Sequence, residues 1–271
     1  MSNESPLGQA APYLDQYSPE LLHPIARAEQ RNALGIDDPP PFTGIDIWNA
    51  WELTWLDSDG KPLVGTAELR IPADSPNIVE SKSLKLYLNS FSMTQYVAES
   101  DVIETIEQDL GVCVDADVGV RIGSASSLYG PIVSRLPGTC IDDLRVPCDA
   151  YDVDKRLLRA SAEKVIREDI YSHLLRSLCP VTNQPDMGSI LISYKGPRID
   201  RESLLQYIVS YREHNDFHEN CVERMFVDIM ERCQPEQLTV YARYHRRGGI
   251  DINPFRSNFE DNVPNVRLWR Q

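Results

Sequence analysis

The apolar positions of the chain fall into short periodic runs, and the order of those runs repeats. Ile47, Trp48, Trp51, Leu53 and Trp55 give a partly alternating, aromatic-rich strand pattern over Asp46–Leu56. Asp57-Ser58-Asp59-Gly60 supplies a turn, and Leu63 to Ile71 reads as the returning strand of a β-hairpin. Leu84, Leu88 and Phe91, with Tyr87 beside them, recur at helical spacing, as do Val102, Ile103, Ile106 and Leu110. Asp117–Ile122 and Gly138–Val146 then read as strands, so the first half runs ββααββ.

The second half offers a strand at Ser189–Tyr194, helices at Arg201–Arg212 and His218–Cys233, and a strand at Leu238–Tyr244 that Ile250 onward can pair with. Between the halves the spacing predicts a helical linker around Lys155–Leu178, with its regular part at Lys164–Leu178. An offset of 120 residues aligns Ser83 with Ser203, Leu84 with Leu204, Tyr87 with Tyr207 and Ser90 with Ser210, four identities in nine positions. That match is weak by itself and gains weight because the element order repeats with it. Residues 1–41 are polar and end in Asp37-Asp38-Pro39-Pro40-Pro41, the pattern of an extended arm with a short helix around Ile25–Leu34. The organisation expected is an arm (1–41), a first module (42–150), and a linker helix with a second module (151–271), in an α+β fold.

Composition narrows the function classes. A 271-residue chain that is 42% hydrophobic and 25% charged can bury a core without a metal or disulfide staple. It has no run of about 18 apolar residues. Its first residues lack the basic start and apolar core of a secretory signal. The net charge of −14 opposes nucleic-acid binding except at a local basic patch. Six cysteines, none spaced C-x-x-C, are expected as free thiols in a reducing cytoplasm.

Four clusters could carry chemistry. Cys179 lies in a proline-flanked connection, with Asp186 seven residues on. The residue types suit first a small buried hydrophobe and a turn aspartate, and alternatively a nucleophile with an acid/base partner. His218-Glu219 opens a helix, where a carboxylate is favoured by the dipole or could accept two N–H bonds from a planar heterocycle. Glu80-Ser81-Lys82-Ser83-Leu84-Lys85 reads as a helix start with a serine cap, or as an anion site of backbone N–H groups with Lys82 and Lys85. Tyr244-His245-Arg246-Arg247-Gly248-Gly249 is the local basic patch, a turn with solvated arginines or a close-fitting phosphate site. No G-x-G-x-x-G or P-loop pattern is present, and the spacing supplies no metal ligand set.

Taken together these segments resemble the NADPH-dependent 7-cyano-7-deazaguanine reductases of queuosine biosynthesis (the QueF family) in their long, two-module form. The matching stretches are Ile78 through Phe91, Thr139 through Asp143, Cys179 through Gly188, Phe217 through Arg224, and Tyr241 through Pro254. The resemblance implies two tandem tunnelling-fold (T-fold) modules, each ββααββ with an antiparallel sheet and paired helices, both contributing to one site in a homodimer. It implies reduction of a nitrile to a primary amine, with two NADPH per turnover and no metal. Cys179 would be the nucleophile that forms a thioimide, Asp186 the residue that moves its proton, and His218 a proton carrier in the imine step. Val79, Glu80, Ser81, His218 and Glu219 would contact 7-cyano-7-deazaguanine; Ser81, Lys82, Arg247 and Gly248 would contact NADPH. Three other readings compete: a cysteine hydrolase using Cys179 and His218, a metal-dependent pterin-type cyclohydrolase on the same fold, and a non-catalytic purine-binding protein.

Overall fold

A computed structural model of the chain describes residues 14–124 and 133–271. Along the chain run β1 (Pro24–Ala26), α1 (Arg27–Leu34), β2 (Thr43–Leu56), β3 (Pro62–Pro72), β4 (Asn77–Val79), α2 (Ser81–Ser90), α3 (Glu99–Val114) and β5 (Gly119–Ser124). They are followed by β6 (Thr139–Cys140), β7 (Ala160–Leu178), β8 (Pro185–Ile199), α4 (Arg201–Val209), α5 (His218–Cys233), β9 (Gln237–Tyr244) and β10 (Ile250–Ser257). This is a mixed α+β chain in which β1 with β4, β3 with β5, β7 with β8, β8 with β9 and β9 with β10 pair antiparallel and the short β6 runs parallel to β7. Among the described residues no helix is long and apolar enough to cross a membrane.

The chain forms two compact units that interleave in sequence. One holds 14–32, 46–124 and 246–251; the other holds 33–45, 133–245 and 252–271. In the first, β5 pairs with β3, β3 lies next to β2, and β1 pairs with β4 just ahead of α2. In the second, the strand order is β6-β7-β8-β9-β10, and α4 and α5 pack on one face of that sheet. Leu204, Ile208, Val222, Phe226 and Ile229 meet Ile190, Ile192, Leu238 and Val240 there, all essentially buried. Each such side chain contributes roughly 1.5–3 kcal/mol on removal from water. The opposite face carries a smaller cluster of Leu136, Leu191, Tyr241, Phe255 and Leu268.

The repeat seen in the sequence has a physical counterpart in each helix pair. Tyr87 on α2 donates its hydroxyl to Asp109 on α3 at 2.6 Å, and Tyr207 on α4 donates to Asp228 on α5 at 2.7 Å. Each aspartate has a second phenol nearby. Tyr17 reaches Asp109 at 2.8 Å, whereas in the second unit Tyr211 bonds Tyr207 at 2.9 Å. Helices α3 and α5 both run 16 residues and end on a left-handed residue, Asp115 and Gln234. The tyrosines are offset by 120 and the aspartates by 119, so the interhelical connections differ by one residue.

Two strongly buried ion pairs brace the units. Arg27 bonds Asp46 at 2.6 Å in the first. In the second, Arg256 reaches Glu223 Oε1 through Nε at 3.0 Å and Nη2 at 2.9 Å, and its guanidinium lies 5.7 Å from the Phe42 ring.

The linker helix expected at Lys164–Leu178 is instead strand β7. Its fully buried residues are Ile170, Ser172, Leu175 and Ser177, Ile166 packs partly buried on the same core, and Val165 and Leu174 are exposed. A bulge between Ser172 and Leu175 shifts the inward phase by one, and two of the four fully buried residues are serine. Together these hide the period-two pattern and leave the apolar residues at a spacing that mimics a helix. With β7 restored, the second half reads ββααββ from Ala160 to Ser257. The strand expected over Gly138–Val146 shrinks to Thr139–Cys140, which pairs with Ile170 and Tyr171.

Candidate active site

Strands β7 and β8 form a hairpin whose last paired residues are Ser177 with Asp186 and Leu178 with Pro185. Cys179 opens the connecting loop. Its N–H donates to the Gln184 carbonyl at 2.9 Å, and its carbonyl accepts from Asn183 N–H at 3.0 Å, with Asn183 in a left-handed conformation. The segment before α5 fastens onto the same hairpin end. Leu178 N–H donates to the His214 carbonyl at 2.8 Å, and Asp216 N–H donates to the Leu178 carbonyl at 3.2 Å. Asn215 Nδ2 also donates to Asn183 Oδ1 at 3.0 Å. The backbone on both sides of Cys179 is thus held, which suits a nucleophile that must be pre-positioned.

That docking also sets where α5 begins. Asp216 Oδ1 accepts from Phe217 N–H and Asn220 Nδ2, each at 2.8 Å. His218 and Glu219 are the first two residues of the helix, and Glu219 is 2% exposed. The buried Asp186 carboxylate lies 3.3 Å from His218 Nε2. On its other side the imidazole stacks on Tyr244 at the end of β9, with ring centres 3.9 Å apart and planes at 29°. Tyr244 is the register partner of Gly188. A Cβ at Gly188 would come 3.1 Å from the tyrosine ring, so glycine is what admits the ring there. Burial, and then the neighbouring Cys221 thiol, hold the Tyr244 phenol well above its usual range, so it stays protonated.

Cys179, Asp186, His218 and Glu219, separate fragments in the sequence, therefore share one end of the second unit. Sequence reasoning misses Tyr244 as a member of this group. Its signal, an aromatic at the end of a strand, is indistinguishable from core filling. Burial raises Cys113 and Cys233 to about 11, raises Cys140 and Cys148, and holds Cys221 well above the usual thiol range.

The remaining expected residues lie in the first unit. Val79 ends β4, and Glu80 caps α2. The serine cap read from the sequence is corrected: Glu80 Oε1 accepts from Lys82 N–H at 2.8 Å and Oε2 from Ser83 N–H at 2.7 Å. Those two N–H groups are spoken for, so an anion here would rely on the side chains of Lys82 and Lys85. Arg247 to Ile250 closes a tight turn, with reciprocal backbone bonds and Gly248 and Gly249 at φ +60° and +82°. Positive φ at both central positions calls for glycine. Lys85 lies over this turn, 3.1 Å from where a Gly248 Cβ would stand. Arg246 covers the Trp51 ring at 5.2 Å, and Trp51 N–H bonds the Gly249 carbonyl. Lysines at the start of α2 and the Arg247-Gly248 turn are a donor set that fits the phosphates of a dinucleotide. Among the described residues no group of three or more His, Cys, Asp or Glu side chains is placed to hold a metal ion.

Comparison with known families matches residues 13–122 to "Nitrile reductase, 7-cyano-7-deazaguanine-reductase N-term" and residues 185–262 to "QueF-like protein". A solved structure titled "Crystal structure of the archaeosine synthase QueF-Like in the apo form" is 18% identical, at a TM-score of 0.31. That similarity covers 37% of this chain and 96% of the other, too slight a likeness to bear on fold or function.

Proposed function

The chain belongs to the QueF family of nitrile reductases, and from that premise we propose that it reduces 7-cyano-7-deazaguanine to 7-aminomethyl-7-deazaguanine with NADPH. The observation that carries the reading furthest is the grouping of Cys179, Asp186, His218 and Glu219 at one hairpin end, with the Asp186–His218 contact at 3.3 Å.

The Cys179 sulfur forms a C–S bond to the nitrile carbon, and the thiol proton passes through Asp186 to the nitrile nitrogen, giving a thioimide. NADPH supplies the hydride, two equivalents per nitrile, which with two protons convert C≡N to CH2NH2. The C–S bond breaks after the first reduction, returning the Cys179 thiolate and leaving an imine beside His218, which handles the proton of the second step. Glu219, buried at the first turn of α5, accepts the N–H donors of the guanine-like edge. A ring lacking those donors would leave the carboxylate without the match the site is built for, the kind of loss that sites use to reject analogues. Lys82, Arg247 and Gly248 would hold the NADPH phosphates, with Lys85 beside them. Two tandem tunnelling-fold modules, homodimeric assembly and a cytoplasmic location belong to the same proposal.

The test is intact-protein mass spectrometry after mixing the protein with 7-cyano-7-deazaguanine without NADPH. Addition to a nitrile expels nothing, so the expected gain is the whole substrate mass, abolished in Cys179→Ala and cleared by NADPH. Ammonia release without NADPH consumption would establish a hydrolase instead. Binding without any adduct would leave a purine-binding protein.

A further inference from the structure

Two consecutive residues near the end of the chain grip the register pair beneath His218. Gly188 and Tyr244 face each other across β8 and β9, and Tyr244 carries the imidazole on its ring. Arg270 Nη2 donates to the Gly188 carbonyl at 2.8 Å, and to the His173 carbonyl at 2.6 Å. Gln271 Nε2 donates to the Tyr244 carbonyl at 2.9 Å. So 270 holds one member of the pair by its carbonyl and 271 holds the other.

The sheet itself explains why the His173 and Tyr244 carbonyls need outside donors. His173 sits in the bulge between Ser172 and Leu175, where β7 drops out of register with β8. The β9–β10 register covers Thr239 to Tyr241 and stops short of Tyr244. Carbonyls that a ladder would otherwise satisfy must find partners elsewhere when buried. Gln271 is itself 5% exposed and tightly placed. Its Oε1 accepts from Arg243 Nε and Leu268 N–H at 3.0 Å each, and Nε2 also reaches Asn253 Oδ1 at 2.8 Å.

We propose that Arg270 and Gln271 are positioning residues for His218, acting through the Gly188–Tyr244 pair and the ring stacked on it. The proposal rests on the function above only for its kinetic consequence; the geometric claim stands apart from it. A donor lost at 271 lets the Tyr244 backbone shift. The ring then slides beneath the imidazole, and the Asp186–His218 contact opens with it.

The experiment is a carbon–proton NMR spectrum of the full chain labelled with [13C]histidine, which has five histidines to resolve. Loss of a signal in His218→Gln assigns the residue. Stacking should place the His218 ring protons upfield in the parent protein. Gln271→Ala and Arg270→Ala are each expected to move them toward the unstacked position, with Arg270→Lys restoring part of the shift. Gln271→Glu guards against simple misfolding: it keeps the size of the side chain and the contact to Arg243 but loses the donors. It should shift His218 as the alanine variant does. In turnover, kcat should fall about 10- to 100-fold with KM for the nitrile little changed. A His218 signal that stays put in folded Gln271→Glu and Arg270→Ala overturns the proposal. A missing Cys179 adduct in the parent protein would instead sink the assigned function and leave the NMR result intact.

Discussion

Replacing Cys179 with alanine is expected to slow nitrile reduction at least about 10³-fold while 7-cyano-7-deazaguanine still binds. The loss should be this large because no neighbour can take over. The thiol beside Tyr244, that of Cys221, is fully buried and held protonated by that burial. Cys113 and Cys233, at about 11, are overwhelmingly thiols at neutral pH. The alanine variant should fold normally, since the loop is held by backbone bonds at 179, 183 and 184 that a side-chain change leaves in place. Steady-state NADPH oxidation and calorimetric binding of the nitrile, run on the same preparation, check both halves. Residual activity within tenfold of the parent would remove Cys179 from the chemistry.

Glu223→Ala is the substitution expected to cost the most stability. The carboxylate receives two donors from Arg256, and the two side chains are 1% and 0% exposed. Removing it takes the countercharge from a guanidinium inside the second unit, whose contacts to the Phe255 carbonyl and the Phe42 ring carry no charge to replace it. Breaking one partner of such a pair costs about 3–5 kcal/mol. For a chain of this size that lowers the melting temperature by roughly 10 °C. The double variant Glu223→Leu with Arg256→Met should recover most of the loss, because an apolar pair of similar volume avoids the desolvation of both charges. Thermal melts of the single and double variants read out the comparison. Equal melting temperatures for parent and Glu223→Ala would mean that water or a neighbouring carboxylate already serves Arg256.

Both helix pairs and the strands at Ser189–Tyr194 and Leu238–Tyr244 were legible, because their apolar residues keep one period from end to end. Strand β7 was not, since its bulge breaks the alternation and half of its fully buried positions are serine. The repeat was legible at α2 and α4 through Tyr87 and Tyr207. The bond that gives those tyrosines their shared role was not, because Asp109 and Asp228 sit at a different offset. The fragments that meet at the hairpin end, Cys179 with Asp186 and His218 with Glu219, were legible only one by one. What joins them, the Leu178 bridge to His214 and Asp216, is made of backbone groups and leaves no trace in side-chain type. Gln271 and Arg270 were invisible for the same reason: a glutamine near the end of a chain reads as solvent-facing until the carbonyl it serves is known.

The tyrosine–aspartate clasps also fix how the molecule absorbs light in base. Burial first, and then the groups bonded beside them, push the Tyr87 and Tyr207 phenols far above their ordinary range. Exposed phenols ionise near pH 10 and absorb at longer wavelength when they do. These two should stay spectrally silent in alkali for as long as their helix pairs hold together, then appear in one step when they part. Each helix pair thus carries a natural chromophore that reports its own opening, with no label attached.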